Sequence, residues 1–424
     1  MYARRRHGKR TRRQVGGVVR IPRKLEYAFY LAVAYSVIGP ALGREIPALA
    51  GGMLLALSAL CLLQLRSSFK GVYGPIALLL ACATSFFFIQ IFVHGEDIMD
   101  SNIRAFITWV CGLIIVRSLC LRQGFYLRFP LFLFVLGAVT LPFLRFSLAG
   151  QVEMARVDMS VGGQLTHPAG LADWFAFCAV FFAVFGVETR QTSLRIGAWF
   201  IAVGCLFVVA LTVERGPLLF AALAIAVACR RLLKRGFVPV FLLIFLAAVV
   251  YESGVFKQTF GAYAERGTEE TGREILWPLA VDRFLTSPLV GVGESKILLP
   301  LTLTKEYPPH NAFLHFALSS GVLPFTLFLA FWIHAARESL FHTRGSEGDP
   351  FRLPYLVYTL SVLMIGDLGF MNYGALLTTS LAAGFVISYD EVRPLATVLG
   401  RARPLVRVRR SRSRSVNTRA RTLF

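Results

Sequence analysis

Apolar residues fall in long runs broken by short polar turns, and the runs are long enough to cross a hydrocarbon core of about 30 Å. Twelve such spans are predicted, at 25–43, 46–65, 71–93, 103–121, 125–144, 168–187, 194–213, 217–230, 236–252, 310–334, 352–369 and 372–389. Two outer segments are too long for simple turns: Arg145 to His167, and Ser253 to Pro309. The expected fold is all-α, a polytopic transmembrane bundle of about twelve helices with a long outer loop carrying short amphipathic helices. The chain divides into a basic tail (1–24), helices 1–9 (25–252), the loop (253–309), helices 10–12 (310–389) and a second basic tail (390–424).

Inside the long loop, Thr271-Gly-Arg-Glu274 has the spacing of a capping box ahead of I-L-W-P-L-A-V-D-R-F-L. An amphipathic helix near the membrane surface is predicted there, started or kinked by Pro278. A turn-rich S-P-L-V-G-V-G follows at 287–293, whose glycines permit close backbone approach. The loop ends in P-P-H-N-A-F-L-H-F-A-L-S-S-G-V-L-P, 308–324. Two prolines keep the approach extended, so the helix starts at His310-Asn311, with one of the two at the N-cap.

Composition agrees with a membrane protein: 56% of the 424 residues are apolar and 16% are charged. The net charge of +21 is concentrated at the ends, with ten Lys/Arg before residue 25 and ten more from Arg393 onward. With the N-terminus inside, 34 of the 45 basic residues fall on the cytoplasmic side, so both termini are expected there, against anionic lipid. No folded nucleic-acid reader accompanies the charge, and the basic N-terminal stretch does not have the pattern of a cleavable signal peptide. The seven cysteines lie in or at the ends of apolar runs, without C-x-x-C spacing, and read as small hydrophobes.

His310, at the outer mouth of a helix, is the candidate general base, with Asn311 beside it. His167, before Pro168, has similar geometry and is a secondary candidate. His315 reads as packing and His94 as solvated. Among cations, Arg215 in the E-R-G-P turn and Arg273 at the head of the amphipathic helix could each grip a phosphate with a planar fork. Their bland alternatives are a local pair with Glu214 or snorkelling for Arg215, and a solvated charge for Arg273. Arg266 and Arg283 are weaker candidates, as are Arg145 and Arg156. No D-x-D, metal-ligand spacing, Walker loop or G-x-S-x-G occurs, so no metal or cofactor is expected. Arginines neutralising a departing diphosphate while a base deprotonates an attacking hydroxyl would suit this set.

Three motifs carry a resemblance: E-R-G-P (214–217), R-E-I-L-W-P-L-A leading to P-L-V-G-V-G (273–293), and His310-Asn311 followed after nine residues by Gly321. L-T-H-P-A-G-L-A (165–172) adds to them. Together these resemble the superfamily of O-antigen ligases and Wzy-type O-antigen polymerases. The resemblance implies an inner-membrane enzyme with a periplasmic active site. It implies metal-independent, inverting transfer of an undecaprenyl-diphosphate-linked glycan. His310 would be the base, and Arg215 and Arg273 would hold the diphosphate. The acceptor would be lipid A-core in a ligase or a second lipid-linked glycan in a polymerase, and the H-N-x9-G spacing leans to the ligase. A transporter of lipid-linked sugars is the alternative of another class. Its usual marks, midplane charges and repeat symmetry, are not evident here.

Overall fold

The computed structural model describes residues 22–41, 47–65, 73–97, 101–120, 122, 124–149, 154–161, 164–166, 168–233, 272–302, 305–341 and 350–366. The predicted spans 236–252 and 372–389, most of both tails, His167 and Arg266 lie outside the described residues. The helices are α1 (Arg23–Ala41), α2 (Pro47–Leu65), α3 (Tyr73–Phe88, continued by a π-turn, Ile89–Val93), α4 (Ser101–Leu119), α5 (Phe125–Thr140), α6 (Pro168–Glu188), α7 (Thr192–Leu211), α8 (Arg215–Leu233), α9 (Arg273–Thr286), α10 (Ala312–Ser320), α11 (Val322–Phe341) and α12 (Arg352–Ile365). Among the described residues, three stretches are long and apolar enough to cross a membrane: Pro75–Val93, Gly170–Glu188 and Thr192–Leu211; Gly51–Leu63, Leu127–Phe143 and Arg352–Ile365 are shorter apolar helices.

Hydrophobic residues all round a helix bury it on every side. α6 does this: Ala172 and Trp174 through Val184 are buried, and α6 packs on α5, α7, α8 and α12. α7, equally apolar, sits outside α6 and leaves Ile196, Phe200 and Val203 exposed, the pattern of a helix facing lipid. The six free cysteines that are fully buried, and the half-buried Cys229, are packing residues as expected.

The structure departs from the expected elements at four places. The first of the two long connecting segments, for which no element is predicted, carries an antiparallel sheet of β1 (Leu144–Ala149), β2 (Met154–Val161) and β3 (Gln164–Thr166). In it Arg145 stands opposite Asp158 and Arg156 opposite Ser147. The second hairpin, β4 (Leu299–Thr302) and β5 (Lys305–Tyr307), leads straight into Pro308. All-α therefore describes the bundle, to which two small sheets are added.

The single span predicted at 310–334 is two helices, α10 and α11, broken at Gly321. Gly321 has φ 81° and ψ −172°, a conformation that almost only glycine holds, and a Cβ there would strike the Leu289 carbonyl. Thr271 of the predicted capping box lies outside the described residues, and the N-cap of α9 is Gly272, at φ 73°, with no side-chain cap bond. The left-handed backbone favours glycine there, and a Cβ would also come within 2.7 Å of the tip of the Leu301 side chain on β4. Pro278 does not start the helix; it lies inside α9, where the kinking alternative puts it. Finally, α8 begins at Arg215 instead of Pro217, which places Pro217 within the first turn, where its missing N–H costs nothing.

Candidate active site

α9 is amphipathic because Leu276 and Ala280, one turn apart, face a small core made with Ile297, Leu299 and Leu318. This seats α9 on β4 and α10. From there Trp277 Nε1 donates to the Pro309 carbonyl at 2.9 Å, so α9 pins the peptide immediately before His310. Pro308 and Pro309 are buried, and the His310 ring lies 6.2 Å from that of Tyr307.

Asn311 is the N-cap of α10. Its Oδ1 accepts from the backbone N–H of Phe313 (3.0 Å) and Leu314 (3.1 Å), two groups that a helix start leaves without partners. Its Nδ2 donates to the Met364 carbonyl at 3.2 Å. The next carbonyl, Ile365, accepts from Arg273 Nη2 at 3.0 Å. Arg273 and Asn311 are 38 positions apart in sequence, yet they hold successive carbonyls at the carboxyl end of α12. Successive residues lie only about 3.8 Å apart. Arg273 and the His310-Asn311 motif thus come together in space, with His310 half-buried and at the helix entrance.

His310 has φ 49°, and Val213, two residues before Arg215, has φ 56°; among the described residues these are the only non-glycines with positive φ. Such backbone is costly, most of all for a β-branched residue, and it concentrates at functional sites. Both turns predicted to carry chemistry therefore hold strained backbone. Arg215 is the exposed first residue of α8. α8 packs along α6 and α12, and the neighbouring Glu214 lies within charge–charge reach of Asp173 on α6. The Tyr358 hydroxyl of α12 donates to the Asp173 carbonyl at 3.1 Å. α8, which Arg215 opens, thus packs on the same helix, α12, whose last carbonyls Arg273 and Asn311 hold.

Arg283 Nη1 donates to the Leu298 carbonyl at 2.9 Å, which ties the end of α9 to the strand loop. No cluster of three or more His, Cys, Asp or Glu side chains that could hold a metal occurs among the described residues.

Sequence reading missed a second polar group beside the first. Glu294, 3% exposed, follows the V-G-V-G turn, and both its oxygens face His315 Nε2, at 2.9 and 3.1 Å. His315 is buried, as expected of a packing residue, but it is half of an acid–imidazole pair. His94 is not solvated either; its Nε2 meets the Val290 carbonyl at 2.8 Å. Glu96 accepts from the Ser295 N–H and hydroxyl at 3.0 and 2.6 Å. The available signal was Glu294 itself, a charge set directly after a glycine turn in a chain poor in charge.

Residues 200–329, from the middle of α7 into α11, match the family model described as O-antigen ligase. No curated protein matches the chain. Arg215, Arg273 and His310 all lie within the matched residues.

Proposed function

We propose a reaction that starts from membership: through residues 200–329 this membrane protein belongs to the O-antigen ligase and polymerase superfamily, whose general chemistry is glycan transfer from a lipid-linked donor. The donor is an undecaprenyl-diphosphate-linked glycan, and transfer occurs on the periplasmic face of the inner membrane. The acceptor hydroxyl oxygen attacks the anomeric carbon, the bond from that carbon to the diphosphate oxygen breaks, and the configuration inverts. His310 takes the hydroxyl proton. Arg273 and Arg215 carry the negative charge that builds on the lipid diphosphate as it leaves, which a guanidinium fork does without metal.

The observation that carries this reading is the meeting of Arg273 and the His310-Asn311 motif at the Met364 and Ile365 carbonyls. It sets a guanidinium-bearing helix and a half-buried imidazole around one helix end. The ligase and polymerase readings share this chemistry and differ in the acceptor, lipid A-core or a second lipid-linked glycan.

The test is transfer by the purified protein in EDTA, with each acceptor in a separate reaction. Wild-type product in one of them names the acceptor. His310→Ala should lower the rate by about 10²–10⁴-fold. Arg215→Ala and Arg273→Ala should weaken the use of the diphosphate donor. Full activity in His310→Ala removes the base from the proposal. Translocation of the donor in liposomes, without product from either acceptor, replaces the transferase with a transporter.

A further inference from the structure

α10 has only nine residues, too few to hold a helix by itself, so its position is set by what grips it. Its carboxyl end is taken by the 288–293 loop. Val292 N–H donates to the Leu318 carbonyl (2.8 Å) and Gly293 N–H to the Ser319 carbonyl (3.0 Å), while Val322 N–H returns a bond to the Pro288 carbonyl (2.8 Å). The fit is close enough that a Cβ on Gly291 would come within 2.5 Å of the Ser319 backbone. The π-turn after α3 aims Gln90 into the same place. Gln90 Nε2 donates to the Ser319 carbonyl at 2.9 Å, and its Oε1 accepts the Glu294 N–H at 3.1 Å. π-turns of this kind recur at functional sites.

The side chain of Glu294 completes the grip from the other direction. It holds His315, whose own N–H makes the first turn of α10 by donating to the Asn311 carbonyl at 2.9 Å. A carboxylate buried this far is stable only when paired, so the pair constrains both segments together. One turn upstream of His315 lie the N-cap and His310, with its left-handed backbone.

We infer that Glu294 and His315 are positioning residues for His310: the buried pair fixes the first turn of α10 against the 288–296 loop and thereby sets the imidazole of His310 against the reacting hydroxyl. This rests on His310 being the base. Neither Glu294 nor His315 touches substrate in this assignment, and the donor grip through Arg273 is left intact.

The experiment is single-turnover transfer with the full-length protein in nanodiscs, in excess over an undecaprenyl-diphosphate glycan, at saturating acceptor. Four variants are compared with wild type: Glu294→Gln, His315→Gln, the double substitution and His310→Ala. In this format the amplitude reports the fraction of protein that is folded, and the rate constant reports geometry. Misplacing a reacting group by about 1 Å costs about 10²-fold. Each single variant should therefore lose about that much in rate constant while keeping most of its amplitude and its donor affinity. The double should fall no further than the lower single, because the two side chains act as one unit. A wild-type rate constant with reduced amplitude overturns the inference and assigns the pair to stability, as does loss of all folded protein in every Glu294 and His315 variant. Losses that multiply in the double overturn it as well. If His310→Ala keeps the wild-type rate constant, it is the base assignment that has failed, which is a separate result.

Discussion

Two buried carboxylates can be compared, Glu26 at the start of α1 and Glu294 in the loop between α9 and β4, 2% and 3% exposed. Glu26 is held by Arg128 Nε at 2.8 Å and Arg122 Nη1 at 2.9 Å, and it accepts from the Tyr30 hydroxyl at 2.8 Å. Tyr30 stacks on Phe132 with centroids 4.6 Å apart, so a continuous aromatic wall joins α1 to α5 behind the charges. That cluster is redundant: two cations for one anion, with packing that would survive the loss of either. Glu294 pairs with an imidazole, and it joins a glycine turn to a nine-residue helix whose carboxyl end is held by backbone bonds and by Gln90, so the pair reaches the turns nearer the N-cap. The same physical device anchors two rigid helices in one place and positions a turn carrying a candidate base in the other. What separates the roles is what the charge is attached to, and burial alone does not reveal it.

The largest expected effect tests the candidate site directly. His310→Ala removes the proton acceptor and should lower transfer by about 10²–10⁴-fold. His310 is half-buried and its loss leaves the Asn311 cap in place, so the thermal midpoint of the purified protein should move little. At the Glu26 end no single substitution should approach this loss of activity, and a comparable loss from Glu26→Gln would erase the distinction between the two clusters.

Next in size is Gly321→Ala. An alanine would have to hold φ 81° and ψ −172° and push its methyl into the Leu289 carbonyl. The backbone conformation alone costs about 1–3 kcal/mol. Because the loop and helix break would both shift, transfer should fall together with the unfolding midpoint. A protein with unchanged midpoint and activity would show that the 288–293 loop does not dock on the α10–α11 break.

Much of this was legible from the chain. Helix positions followed from run length, since a membrane span needs about 20 apolar residues whatever its neighbours are. The Pro308-Pro309-His310-Asn311 start followed from local backbone rules, and Asn311 does cap α10. The break at Gly321 did not follow, because it depends on the Leu289 carbonyl, 32 positions earlier, approaching the helix. The cap at Gly272 did not follow either, since a glycine is free to take φ 73° without being compelled to. The pairing of Glu294 with His315 was hidden too, since a histidine inside an apolar helix looks like packing until its partner is known. Residues that act through neighbours in sequence were readable, and those that act through distant backbone were not.

Glu26→Gln comes third. The amide still accepts hydrogen bonds but no longer balances two guanidinium groups, and charge-assisted hydrogen bonds are worth about 1.5–3 kcal/mol. Arg128 is 46% exposed and can turn to solvent, which limits the loss. The unfolding midpoint should drop modestly, and the single-turnover rate constant should stay at the wild-type value. A fall in rate constant without a fall in amplitude would mean that strain at the start of α1 reaches His310 across the bundle.

The smallest effect has the opposite sign. Gly197 lies on the exposed side of α7, and a Cβ there would meet nothing within 4 Å. Alanine in a helix interior is favoured over glycine by about 0.5–1 kcal/mol, since glycine loses more backbone freedom on folding. Gly197→Ala should therefore raise the unfolding midpoint slightly and leave transfer unchanged. The same exchange that disables the protein at Gly321 would strengthen it here, because one glycine admits a distant carbonyl and the other faces open space. A destabilised Gly197→Ala protein would mean that a partner packs against this face of α7, which would then no longer count as lipid-facing.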